Sequence, residues 1–450
     1  MRNMTCGAPR RHLIAFAVPL LLGNWLQLLY NAVDSIIAGR FIGRSALAAE
    51  GIAGPVMNLV ILAISGLCIG AGVLMSEAYG AGDSDGLRRS LGSLLGFGCM
   101  LCTAVAAAGF AAAPLILRAL AVPQDILDLT TVYLRITFLG APFTFLYNAL
   151  AAGFKSVGDT KTPLRFLAFS AILNAGLDLV FLGLLGFGIV CSAVTTVVAE
   201  AASAALAVFW LRKKTPELCP GRETLLPDRR LLARILAYGG PTALQQAVQP
   251  IGKVLIQGQV NALGVSAIAA FNAATRVDDF ACIPEQGISA AISTYIAQNR
   301  GAGKRERILP GFFAGLSLEA AYWLLVFAVV TLLRTPIVSL FIRGEGKVEV
   351  VALGSRYLSY MAVFYLWPAM TNGFQGFYRG MGKMKVTLVG TFIQTGIRVL
   401  VTLLLAPRIG LDGIAFACVT GWTAMLLFEV PYAWHVSRRE KLVRKGENRG

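Results

Sequence analysis

At 450 residues the chain would make about three soluble domains at roughly 150 residues each, but its composition rules that out. Apolar residues make up 56% and charged residues only 14%, against roughly 25% charged in soluble domains. Mean hydropathy is +0.68. So few charges cannot cover the surface of a 47.9 kDa globule, and disorder needs the opposite balance. The net charge of +16 would suggest nucleic-acid binding in a soluble chain, but the placement of the basic residues points to a membrane.

A membrane helix needs about 20 mostly apolar residues to cross roughly 30 Å of hydrocarbon. That window predicts twelve spans near 13–38, 50–75, 91–115, 131–153, 164–184, 187–211, 233–257, 267–295, 309–333, 353–378, 386–406 and 411–435. The seventh and eighth are the least clean, since they hold Lys253, Arg276, Asp278, Asp279 and Glu285. Counted with their flanking residues, the termini and even-numbered loops carry 28 Lys and Arg against 7 in the odd-numbered loops. Such an excess marks the cytoplasmic side, so both termini are expected there, in a multi-pass protein of the plasma (cytoplasmic) membrane. The basic tail (Arg438, Arg439, Lys441, Arg444, Lys445, Arg449) fits a topology anchor on anionic lipid. The first apolar run is a full span, too long for the core of a cleavable signal.

The eight cysteines are scattered. Cys99-x-x-Cys102 has redox or metal-ligand spacing, but inside an uncharged run a packing role is expected. His12 and His435 stand at opposite ends of the chain and suggest no metal site.

The second half repeats the first. Gly43–Gly82 and Gly264–Gly303, at an offset of 221, share eleven identities in forty pairs, including G-x-S-A-x-A-A and the closing Gly-Ala-Gly. At 222, Pro19 meets Pro241; at 224, Gly158, Lys161, Gly186, Ala193 and Thr196 meet Gly382, Lys385, Gly410, Ala417 and Thr420. The offset covers six spans, an even number, so the halves share one orientation, as in transporters built from parallel repeats. The expected fold is all-α: two pseudo-symmetric six-helix lobes, 1–211 and 235–435, around a central cavity. A basic cytoplasmic linker at 212–234 carries Pro216, Pro220 and Pro227, and 436–450 forms the tail.

Ionisable residues at membrane depth cost roughly 2.5–3.5 kcal/mol on insertion scales and normally face a cavity or a partner. Asn24, Gln27, Asn31 and Asp34 lie at helical spacing on one face of the first span. A carboxyl there can take up and release a proton near physiological pH. Asn174 and Asp178 are i and i+4 on the fifth span, and Thr196 on the sixth could add a hydroxyl. Two carboxyls, an amide oxygen and a hydroxyl suit Na⁺, and two carboxyls held close could share a proton. The second half departs from this: Asp34 maps to Ile256, and Asn174 and Asp178 map to Arg398 and Thr402. Its charged residues, Lys253, Arg276, Asp278, Asp279, Glu285 and Arg398, are expected to pair mutually or to line the substrate path together with Gln27, Asn31 and Gln249.

The combination of Pro19, Asp34, Gly39-Arg40-Phe41-Ile42-Gly43, Ala46-Leu47-Ala48-Ala49 and Gly80-Ala81-Gly82-Asp83 resembles the first-lobe signature of MATE (multidrug and toxic compound extrusion) transporters. Arg276-Val277-Asp278-x-Phe280-x-x-x-Pro284 and Gln298-Asn299-Arg300-Gly301-Ala302-Gly303 resemble its second-lobe counterpart, and Asn174-x-x-x-Asp178 is similar to the family's fifth helix. The resemblance implies an antiporter, not an enzyme, that exports organic compounds against H⁺ or Na⁺. It also implies a coupling-ion site at Asp34, Asn174, Asp178 and Thr196. One family branch uses acids of helices 7 and 10; Lys253 and the absence of an acid in 357–378 argue against it here.

Pro55, Pro142 and Pro284 are candidate bending points. The expected partners are small-molecule substrates, amphipathic cations foremost, and the bilayer, with no nucleic acid, nucleotide or cofactor and a monomeric state. The absence of a phosphate-binding G-x-x-x-x-G-K-[ST] disfavours a primary pump. The rivals are a flippase for lipid-linked sugars or another anionic amphiphile, an intramembrane transferase, for which two terminal histidines give little, and a channel, which fits poorly with two lobes.

Overall fold

The computed structural model describes residues 2–41, 44–226, 228–342 and 346–447. Ile42, Gly43, Pro227 and Arg449 lie outside the described residues, as do the side chains of 44–47 and of tail residues Arg439, Lys441, Arg444 and Lys445. The first-half copy of the G-x-S-A-x-A-A motif and most of the basic tail therefore fall outside the description.

Among the described residues the chain folds into fourteen α-helices. They are α1 (Pro9–Phe41), α2 (Arg44–Gly80), α3 (Ser84–Ala119), α4 (Gln124–Ser156), α5 (Lys161–Asp178), α6 (Ile189–Lys214), α7 (Arg229–Ala262), α8 (Val265–Cys282), α9 (Glu285–Gly301), α10 (Ile308–Phe341), α11 (Lys347–Phe364), α12 (Leu366–Gly380), α13 (Met384–Ile409) and α14 (Leu411–Glu447). Twelve spans result, because the eighth and tenth are each broken in two. Pro284 offers no N–H to the carbonyl of Phe280, which accepts instead from the Tyr322 hydroxyl at 3.3 Å. Pro368 deprives Phe364 in the same way, and α11 ends there. Nine helices among the described residues are long and apolar enough to cross a membrane unaided. The seventh span and the two broken ones are more polar, as expected of segments that carry charge.

The duplication is written into the backbone. Gly82 and Gly303 have φ of 72° and 69°, Gly158 and Gly382 81° and 72°, and Gly186 and Gly410 67° and 63°. Each pair stands at its repeat offset and turns the chain where an L side chain would be strained.

Contacts divide the chain into two compact units, residues 1–3 with 22–243 and residues 4–21 with 244–450. The boundary thus runs inside α1 and α7 and not at the 212–234 linker, which belongs wholly to the first unit. Close helix crossings explain this. In the first unit a Cβ on Gly66 would fall 2.4 Å from Ala243 Cα, and one on Gly70 would fall 2.4 Å from the Gly239 nitrogen, so the start of α7 lies directly on α2. In the second unit a Cβ on Gly287 would lie 3.1 Å from Leu20 Cβ, which sets the start of α1 on α9. Gly66 and Gly287 are equivalent positions of the repeat at the 221 offset.

The Gln298-Asn299 motif also acts within the second unit. Gln298 accepts from the amide of Met4 at 3.0 Å, and Asn299 donates to the Met4 carbonyl at 3.3 Å. Lys304 and Arg307 then cap the carbonyls of Thr5 at 3.0 Å and Gly7 at 2.6 Å. Met4 is fully buried.

Each unit has its own apolar core. The first gathers Leu74, Leu91, Cys102, Phe145 and Phe154, which gives the Cys99-x-x-Cys102 segment a packing role. The second gathers Phe271, Val338, Tyr357, Met361 and Ile414.

Glycine contacts supply a test. A Cβ on Gly376 would sit 2.5 Å from the carbonyl of Ser289, whereas one on Gly258 meets nothing within 4 Å. Gly376→Ala is expected to cost about 1–3 kcal/mol through overpacking. Gly258→Ala should be neutral or stabilise by up to about 1 kcal/mol from helix propensity. Thermal unfolding of the detergent-solubilised variants measures both.

Candidate functional site

In the first unit Asp34 arrives from the C-terminal part of α1, Asn174 and Asp178 from the last turns of α5, and Thr195 and Thr196 from α6. Asn174 and Asp178 have no solvent exposure. The Asn174 amide lies 3.2 Å from Thr196 Oγ1. All its partners are satisfied when its nitrogen donates to Asp178 Oδ2 at 3.1 Å and Tyr30 Oη at 3.2 Å, and its oxygen accepts from the Thr196 hydroxyl and amide, both at 3.2 Å. The Thr195 hydroxyl donates to Asp178 Oδ1. The carboxyls of Asp34 and Asp178 are within hydrogen-bonding reach of each other. At Asp178 the helix widens into a π-helical segment, Leu179–Leu184; π turns are frequent at functional sites.

The structure therefore brings Asp34, Asn174, Asp178 and Thr196 together. It adds residues that the sequence reading did not single out: Tyr30, one turn before Asp34, and Thr195, the neighbour of Thr196. Glu50 on α2 and Glu200 on α6 add negative charge nearby, and Glu200 accepts from Thr144 Oγ1 at 2.6 Å. Two adjacent carboxyls ringed by an amide, hydroxyls and further acids form a site of negative potential, suited chemically to a proton or a hard cation. Gln27 and Asn31 follow on the same face of α1, with Gln27 donating to Asn31 at 3.2 Å.

The second unit holds a cavity of about 280 Å³ with a different character. Gln249, Lys253, Asp278, Asp279 and Arg398 line it. Lys253 pairs with Asp279 at 3.2 Å. Asp278 accepts from the Tyr365 hydroxyl, with Arg398 close enough to interact electrostatically. Of the other residues expected there, Arg276 is exposed and outside the lining. Glu285 is buried behind Asn372, which does line the cavity and donates to it at 3.2 Å. Ile256 and Thr402, which replace the two acids of the first unit, are 1% exposed each.

A family model for MatE matches residues 19–180 and 241–404, covering most of both repeats. The chain belongs to the MatE family. It is accordingly a membrane transporter and not an enzyme. Among its relatives, the probable multidrug resistance protein YpnP of Bacillus subtilis is 29% identical over 392 residues, 87% of each chain. A protein of Shewanella oneidensis named FAD transporter is 26% identical over 337 residues, 74% of each chain. An outward-facing MATE transporter of the MOP superfamily superposes with a TM-score of 0.92 at 21% identity, covering 98% of this chain and 99% of the other. That likeness confirms the twelve-helix, two-lobe MATE fold.

Thr195 offers a local test of the transporter's first-unit site. Thr195→Val removes a donor to a buried carboxyl and is expected to cost about 1.5–3 kcal/mol. Thr195→Ser should retain most of the stability, as read by thermal unfolding.

Proposed function

We propose that this MATE transporter is a secondary active exporter that moves amphipathic, chiefly cationic organic compounds out of the cell in exchange for H⁺ or Na⁺. The observation that carries the reading is the contact between the Asp34 and Asp178 carboxyls, held by Asn174, Thr195 and Tyr30. Two carboxyls so close are disfavoured as a pair of anions, and uptake of one cation relieves the repulsion. Occupation of the site would change the charge at the end of α1 and the start of the π segment. That local change biases alternating access of the substrate path to the two sides of a plasma membrane, with both termini cytoplasmic.

The energetics are adequate. One charge moving down 100 mV releases about 2.3 kcal/mol, and a tenfold ion gradient adds about 1.4 kcal/mol. Together they support a gradient of a few hundredfold per ion for an uncharged substrate. A monovalent cation exchanged one for one moves no net charge and draws on the ion gradient alone, about tenfold. Relatives named for multidrug resistance support the substrate class. A second reading, export of an anionic amphiphile, is favoured by Lys253 and Arg398 in the second-unit cavity and by the relative named FAD transporter.

The test is ethidium and FAD transport in everted vesicles with pH and Na⁺ gradients imposed separately. Gradient-driven ethidium transport is expected in wild type and should fall at least tenfold in Asp34→Asn and Asp178→Asn. Undiminished transport in both variants would overturn the coupling site. FAD transport without ethidium transport would select the anionic reading, with Lys253→Met then raising KM.

A further inference from the structure

Among the described residues the second unit has five buried or cavity-lining acids near its broken spans, and their charge balance is uneven. Asp279 has Lys253, Asp278 has Tyr365 with Arg398 alongside, and Glu429 has Arg379 alongside. Among the described residues Glu285 and Glu319 have no cation facing them.

Glu285 is the first residue of α9, just after the Pro284 break, and is 1% exposed. Its side chain accepts from Asn372 Nδ2 at 3.2 Å. Glu319, in the middle of α10, is wholly buried, and neither of its carboxyl oxygens has a hydrogen-bond partner among the described residues. It lies close enough to Glu285 to feel its charge. The backbone of α12 closes over it: a Cβ on Gly373, next to Asn372, would stand 3.8 Å from Glu319 Cγ. The other titratable groups facing the pair are Tyr322 on α10 and Cys282 on α8. The Tyr322 hydroxyl is already given to Phe280.

Two enclosed carboxylates with no counter-ion are prohibitively costly as anions. Neighbouring acids resolve this by keeping a proton between them. A metal cation would demand about six oxygens. The Asn372 amide turns its nitrogen, not its oxygen, toward the site, and the donors on hand do not reach that number.

We propose that Glu285 and Glu319 form a second proton-binding site, distinct from the Asp34–Asp178 pair, whose proton exchanges with the second-unit cavity past Asn372. The step is a simple protonation. An O–H bond forms on Glu319 with a proton delivered by hydronium in the cavity, which is left as water, and the neutral acid no longer repels the Glu285 carboxylate. Asn372 joins the two places, since it lines the cavity and donates to Glu285. The inference does not rest on the first-unit site.

The test is infrared spectroscopy of the full-length protein in nanodiscs across neutral and alkaline pH, following the protonated-carboxyl band and its shift in D₂O. It is run in wild type and in the Asp34→Asn/Asp178→Asn background, which removes the first pair. A band that falls as pH rises is expected in both. Glu319→Gln, close in shape and uncharged, should lose that component, because Glu285 then ionises against the Asn372 amide with no acid beside it. Glu285→Gln should keep the band but lose it at a lower pH than wild type, because no neighbouring carboxylate then opposes ionisation of Glu319. This second variant serves if the first fails to fold. Proton release per ethidium bound, followed with a pH dye, should fall by one in Glu319→Gln. An unchanged, titrating band in either variant overturns the proposal. Loss of the wild-type band on adding Na⁺ at constant pH overturns it in favour of a cation site.

Discussion

Gly66 and Gly287 let one helix backbone rest on another with no side chain between them, and each stands where the chain passes from one unit to the other. In lipid there is little hydrophobic drive to bring helices together, so small residues and close backbone packing carry association. Because Ala243 sits on Gly66 and Leu20 on Gly287, the opening turns of each repeat's first helix belong to the other repeat's unit. Asp34 stands on the part of α1 that belongs to the first unit, beyond the crossing at Leu21, and meets Asp178 there.

The two repeats keep one backbone and spend it on different chemistry. The loop glycines at 82, 158 and 186 return at 303, 382 and 410 with the same left-handed turns. The polar positions do not return: where the first unit sets Asp34, Asn174 and Asp178, the second has Ile256, Arg398 and Thr402. The first unit concentrates negative charge in one cluster. The second distributes acids among Lys253, Arg379 and Arg398 and leaves one pair without a cation. Backbone symmetry here is a packing property, and ion chemistry is free to diverge on it.

Much of this was legible in the sequence because it follows from periodicity. Apolar windows marked the twelve spans, the repeat offsets foretold the paired glycines, and the i, i+4 spacing of Asn174 and Asp178 put both on the face that meets α1. What was not legible depends on rotation and long-range contact. Thr195 and Thr196 are adjacent in sequence, but about 100° apart around the helix, and only the packing of α6 on α5 determines that Thr195 reaches Asp178. Glu319 and Glu429 lie in otherwise apolar runs, where a hydropathy window averages a single acid away. The division inside α1 and α7 has no local signature, because a glycine in a membrane helix does not say which helix will lie on it. Arg276, singled out by its charge, turned out to face outward, since the α8 face that carries Asp278 points the other way.

The π segment that follows Asp178 has a consequence for the history of the site. Gly158 and Gly186 are 28 residues apart, and so are Gly382 and Gly410. The second repeat winds the corresponding stretch entirely as α-helix to Ile409, while the first turns to π at Leu179. With no residue inserted, the wider coil is a choice of winding and not the scar of an insertion. The fifth span therefore holds slack: rewinding Leu179–Leu184 as α-helix would lengthen it toward the membrane surface without breaking the chain register on either side, starting from the residue that carries the carboxyl.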